Sequence, residues 1–136
     1  MTKQHLPLEG IRVLDFTQVM MGPCATQMLA DFGADVIKIE RPGEGDLSRN
    51  FFGEPSEEAM NNAVFASLNR NKRSVEINTK SEAGRRMIYD LVAQSDVVVD
   101  NFRAGVMRRL GFDYDTLSKI NPAIICASGT GFGEVG

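Results

Sequence analysis

The chain is 136 residues long, 43% hydrophobic and 24% charged, enough for one folded domain with its own core. A net charge of −3 gives no electrostatic case for nucleic acid or an anionic membrane, and no apolar run reaches spanning length. Residues 1–8 lack the apolar centre of a secretory signal, and Cys24 and Cys126 stand without metal-ligand spacing, so the sequence predicts a reduced, cytoplasmic protein with no metal site.

Residues 12–16 (Arg-Val-Leu-Asp-Phe) predict a short apolar strand. Gly22-Pro23 then opens a helix, because proline fits the first turn, where its missing N–H costs nothing. Ala25, Met28, Leu29 and Phe32 recur at helical spacing and predict its buried face, with Gly33 as the stop. Residues 35–40 (Asp-Val-Ile-Lys-Ile-Glu) predict a second strand, which makes 12–40 a β-α-β unit with parallel strands and a right-handed crossover. Residues 42–56, with their glycines and prolines, read as loop, and Ser56 as the cap of a helix carrying Met60, Val64, Phe65 and Leu68. Strands at 74–78, 97–100 and 124–128 and helices at 81–94, 103–110 and 113–120 follow. The helix at 81–94 carries Met87, Ile88, Leu91 and Val92 on one face. The fold class is therefore α/β: one Rossmann-like, doubly wound domain over residues 1–136 with a mainly parallel sheet. The glycine-rich run at 129–136 directly after a strand predicts that the polypeptide continues.

In such a sheet, ligands bind beyond the carboxyl ends of the strands. Those ends carry residues 17–22 before a helix N-terminus, Glu40-Arg41, Asn78-Thr79-Lys80, Asp100-Asn101-Phe102-Arg103 with Arg108-Arg109 further on, and the glycine loop. Cations and amides gather on one edge of an acidic chain, which suits a ligand with phosphates. A dinucleotide is the competing reading, since Glu40 ends the second strand where a Rossmann fold keeps its ribose-binding acid. The first β-α turn, however, has only Gly22, and the Gly131-x-Gly133-x-x-Gly136 match follows the fifth strand instead of the first.

Residues 8–16 (Leu-Glu-Gly-Ile-Arg-Val-Leu-Asp-Phe) followed by Gly22-Pro23 resemble the opening of family III CoA-transferases. The run at 31–43 from Asp-Phe-Gly to Arg-Pro-Gly, then Asn71-Lys72-Arg73-Ser74, Asp100-Asn101-Phe102-Arg103-Ala104-Gly105-Val106, and Asn121-Pro122 with Gly131-Phe132-Gly133, match its later blocks in order. The resemblance implies a Rossmann-like domain in an interlocked homodimer, no metal, and a CoA transfer between an acyl-CoA and a carboxylic acid acceptor. It implies that Val19 and Met20 lie near the thiol end of coenzyme A and that Arg41 holds the nucleotide end. It further implies that Ile77 and Lys80 contact the adenine and phosphate region, that Asn101, Phe102 and Arg103 line the groove, and that Arg109 pairs with a phosphate. Formyl-CoA transferases carry a glutamine where this chain has Met20, which favours a less polar acyl group here. The nucleophilic aspartate of the family falls beyond residue 136, so no catalytic residue is assigned and these residues alone are expected to be inactive.

Two other functions fit the same blocks. α-Methylacyl-CoA racemases share them, and residues 102–107 resemble that group as well, with its diagnostic histidine and aspartate also beyond residue 136. A non-enzymatic nucleotide-binding or interaction domain is the third. Simpler roles are expected for several residues: Asp15 as a structural acid, Cys24 as a small buried side chain, Met20-Met21 as core packing, and Lys72-Arg73 as either a solvated turn or a basic clamp.

Overall fold

A computed structural model describes residues 5–50 and 63–133. Strands β1 (Arg12–Asp15), β2 (Asp35–Glu40), β3 (Arg73–Glu76), β4 (Val97–Asp100) and β5 (Ile125–Ser128) form one sheet in the order β3-β2-β1-β4-β5. Every pairing is parallel, with Asp15 opposite Lys38 and Val99, and Asp100 opposite Ser128. The chain runs outward from β1 through β2 to β3, then returns to β4, so the topological switch lies between β1 and β4.

Helices cover both faces. Alternation along β1 sends Leu14 and Phe16 to one side and Val13 and Asp15 to the other. The first side is the main core, closed by α3 (Glu82–Val92) through Ile88 and Val92, by α4 (Val106–Leu110) through Met107 and Leu110, and by α5 (Tyr114–Leu117) through Leu117. Phe112 is its aromatic centre, 5.6 Å from the Phe16 ring and edge-on to Tyr89 at 5.9 Å. The second side carries α1 (Met21–Asp31), which packs Leu29 and Ala30 on Val13 and Val36, and α2 (Ala63–Asn69) lies beside α1.

Toward the carboxyl ends of the strands this second side turns polar. Asp15, Lys38 and Glu40 point under α1 and are each at most 2% exposed. Buried charges must be paired. The Lys72 ammonium reaches in from the turn before β3 and lies 2.9 Å from Asp15 Oδ2, donating also to the Pro23 carbonyl, Thr26 Oγ1 and Asn69 Oδ1. Lys38 Nζ lies 2.8 Å from Asp46 Oδ2 and donates to the Thr17 carbonyl. Glu40 receives Arg49 through both Nε and Nη2, and the Arg49 guanidinium also covers the Phe65 ring at 3.5 Å.

This layer corrects several expectations. The buried face of α1 is Gly22, Pro23, Thr26, Gln27 and Ala30, whereas Ala25, Met28 and Phe32 are exposed. The reason is the polar floor: Thr26 Oγ1 donates to Asp15 Oδ2 at 2.7 Å, and a Cβ on Gly22 would stand 2.5 Å from Thr17 Cβ. Met20 and Met21 are likewise exposed and are not core packing. Lys72 is neither solvated turn nor clamp, since its side chain is 2% exposed and belongs to Asp15. On α3 the buried face is Gly84, Ile88 and Val92, with Met87 exposed. Strand β5 sits on the sheet edge with all four residues exposed. Residues 47–50 form a 3-10 turn inside the expected loop, and Ser56 and Met60 lie outside the described residues. The helix expected at 103–110 starts only at Val106, after Gly105 takes a left-handed φ of +76°.

Two outcomes follow from the buried pairs. Lys72→Ala leaves the Asp15 carboxylate buried without its cation and should cost about 3–5 kcal/mol in urea unfolding. Burial alone would raise the Asp46 and Glu40 carboxyls, but Lys38 and Ser48 in the first case, and Arg49 and Ser74 in the second, outweigh it and hold both below their usual values. Carboxyls depressed in the folded state stabilise it fully above their unfolded pKa values of about 4, and that contribution is lost as pH falls through the lower folded values. Melting temperature should therefore drop steeply below about pH 4, and Glu40→Gln should flatten part of that drop.

Candidate functional site at the topological switch

The loops after β1, β2, β3 and β4 meet at the carboxyl edge of the sheet. Between them lies a groove of about 280 Å³ that brings together Arg41, Ile77, Lys80, Phe102 and Arg103. Five of the nine residues singled out by sequence thus share one wall system. Each is placed by its strand: Arg41 is the first residue after β2, Ile77 the first after β3, and Phe102 and Arg103 the second and third after β4. Ile77 is buried, Phe102 packs on the main core while lining the groove, and the three cations are exposed. An adjoining hollow of about 260 Å³ is shared by Arg41, Asn78 and Lys80. On the far side of Arg103 a third hollow, of about 400 Å³, opens toward Tyr114, Cys126 and Ser128. Although residue 126 is exposed on the edge strand, the atoms packed around its sulfur partly desolvate it, and together with Asp100 and Asp113 they push the Cys126 thiol above its usual value, so it is no ready nucleophile.

The cations differ in their commitments. Among the described residues Arg41 pairs with Glu44 alone, at 3.5 Å and largely in solvent. Among the described residues, Lys80 and Arg103 form no ion pair. Arg108 turns to Asp113 at 3.6 Å, while Arg109 is exposed with its guanidinium over Gly105, outside the lining of the groove. The groove therefore carries Arg41, Lys80 and Arg103 as exposed cations on its lining.

Glu40 cannot act as a ribose-binding acid. Its carboxylate is 2% exposed and taken up by Arg49, Ser74 and the Asp46 amide. With Gly22 the only glycine in the first turn, the dinucleotide reading loses both of its anchors.

The loop after β1 is gripped from two sides. Asn101 donates to the Gln18 carbonyl at 2.9 Å and accepts from the Gln18 amide at 2.8 Å, so its side chain fixes this loop. Gln18 lines the groove, and Val19 and Met20 follow it into α1. Val19 has φ +73°, a left-handed conformation that costs a β-branched residue about 1–3 kcal/mol. Its amide donates to Asp46 Oδ1 at 3.1 Å. Sequence reading missed Lys38, Asp46 and Arg49. A lysine in the middle of the apolar run Val36-Ile37-Lys38-Ile39 was the available signal, whereas Asp46 looks like any acid in a glycine-rich loop.

Comparison with known proteins places this geometry. The model of CoA-transferase family III matches residues 8–136. Formyl-CoA:oxalate CoA-transferases of Escherichia coli O139:H28 and Shigella boydii serotype 18 are each 48% identical over 129 residues, 94% of this chain and 30% of theirs. The chain thus spans about a third of the length of the curated relatives it matches. Among solved structures, Rv3272 from M. tuberculosis superposes with a TM-score of 0.87 at 39% identity, over 98% of this chain and 37% of that one. A CAIB/BAIF family protein from Brucella suis gives 0.83 at 41%, over 98% and 35%. Sequence blocks, sheet order and relatives agree, and the chain belongs to CoA-transferase family III.

Proposed function

We propose that this chain supplies the CoA-binding part of a longer enzyme that moves CoA between carboxylic acids. What supports the reading most is the gathering of Arg41, Lys80 and Arg103 with apolar Ile77 and Phe102 around one groove at the switch point. Coenzyme A offers matching chemistry: phosphates, a flat adenine, and a long arm ending in a thiol. Arg41 and Lys80 take the phosphates, the first by paired hydrogen bonds and the second as a point charge. Ile77 supports the adenine, Phe102 and Arg103 wall the groove, Asn101 holds its loop, and Arg109 meets a phosphate at the rim. Val19 and Met20 face the thiol end. The formyl and oxalate groups of the relatives are not carried over, because Met20 offers no hydrogen-bond donor, and a less polar acyl group suits it better.

The nucleophile in this reading is an aspartate outside these 136 residues. Its carboxylate attacks the thioester carbonyl, the C–S bond breaks, and CoA leaves as thiolate, giving a mixed anhydride. The thiolate then attacks the aspartyl carbonyl, releases the donor acid and forms an aspartyl-CoA thioester, on which the acceptor carboxylate acts in turn. The residues described here contribute positioning: gripping the distant nucleotide holds the thioester at the nucleophile. The full-length protein acts as an interlocked homodimer in the cytoplasm, and the 136 residues alone bind without turnover.

The test is calorimetric titration of the full-length protein with CoA. Arg41→Ala should weaken binding by about tenfold, the loss expected for a charge-assisted phosphate contact, and by less as salt rises. Unchanged affinity removes Arg41 from the site, and absence of binding by the wild type sinks the reading.

A further inference from the structure

Val19 stands in a left-handed conformation directly after Gln18, which lines the groove, and no glycine or asparagine lies between Thr17 and Met21 to favour it. What holds it comes from another loop. Asp46 Oδ1 accepts the Val19 amide at 3.1 Å together with the Ser48 amide at 2.8 Å and the Ser48 hydroxyl at 2.7 Å. Asp46 Oδ2 faces the Lys38 ammonium at 2.8 Å, and that ammonium also donates to the Thr17 carbonyl at 2.7 Å. The two side chains are 0% and 1% exposed, so the carboxylate has no water to exchange for these partners. With Asn101 on Gln18, the backbone is held at Thr17, Gln18 and Val19 in succession, and Met20 begins where the grip ends.

We propose that Asp46, seated on Lys38, is a positioning residue: it locks Val19 and thereby aims Val19 and Met20 at the thiol end of the bound CoA. The loop after β2 thus sets the geometry of the loop after β1. This inference rests on the CoA reading above, and it adds a function for two residues that touch no ligand.

Two probes separate positioning from simple structural support. Adenosine 3′-phosphate 5′-diphosphate carries the nucleotide end alone, whereas CoA also reaches residues 19 and 20. In the full-length protein Asp46→Asn keeps the shape and an acceptor oxygen but removes the charge facing Lys38. CoA affinity should fall about fivefold, the loss of roughly one hydrogen bond, while affinity for the truncated probe stays within about twofold. Equal losses for both probes, or no loss for either, overturn the proposal. A second readout is the melting temperature of Asp46→Asn in the wild-type and Val19→Gly backgrounds. Glycine takes the left-handed conformation without strain, so the drop should be smaller in the second background, and identical drops overturn the lock. If Asp46→Asn does not fold, Ser48→Ala replaces it in both measurements, with a smaller loss of the same pattern expected and no loss counting against the proposal. Wild-type protein that binds neither probe overturns the CoA reading instead, and the lock is then judged on the melting temperatures.

Discussion

The structure depends on neutralising two ammonium groups beneath α1. Lys38 and Lys72 are each nearly inaccessible, and an unpaired charge there would cost far more than any single apolar contact returns. Burial pulls the Lys72 ammonium below its ordinary value, with Asp15 working against that pull, so the group keeps its place through Asp15 and its neutral partners. Because Lys72 reaches Asp15 on β1, Pro23 on α1 and Asn69 on α2, one cation fixes three elements at once. Lys38 does the same for the loops after β1 and β2.

That constraint propagates to the surface of α1. A helix lying on a carboxylate and an ammonium needs hydroxyl and amide groups where an ordinary core would place leucine, and it needs small residues for close approach. Thr26 and Gly22 meet that need. The consequence is that Met28 and Phe32 face outward, each 55% exposed. The same floor sets the start of α1 against Thr17 and Asn101, at the point where the sheet order reverses and the loops diverge to leave a groove.

Much of this was legible in the sequence. Strand alternation with helices gave all five strands to within a few residues and the parallel sheet that follows from them, because β1, β2 and β4 are short, apolar and bounded by turn residues. Reading the carboxyl ends of those strands then collected Arg41, Lys80, Phe102 and Arg103, the family resemblance added Ile77, and the fold does bring all five to one groove. The buried face of α1 was misread because periodicity counts apolar residues, and here the buried side is polar. Lys72 was misread for a related reason: a basic pair in a turn resembles a solvated one until its partner, 57 residues earlier in sequence, is known.

An acidic chain can still present a cationic site if its acids are used up elsewhere. The 18 carboxylates outnumber the 15 lysines and arginines, yet Asp15, Asp46 and Glu40 are consumed by Lys72, Lys38 and Arg49 inside the polar layer. Asp31 and Asp35 are held by Arg70, Arg12 and Arg73, and their carboxyls lie below the usual value as a result. These pairings spend cations as well, so they do not change the net charge; they change where it lies. Arg41, Lys80 and Arg103 lie at the carboxyl edge of the sheet, and among the described residues the ion pair recorded for these three is the loose one between Arg41 and Glu44. Three exposed cations thus share one groove of a chain whose net charge is negative, and over the distances that solvent and salt leave unscreened it is this local arrangement, not the net charge, that a nearby group meets.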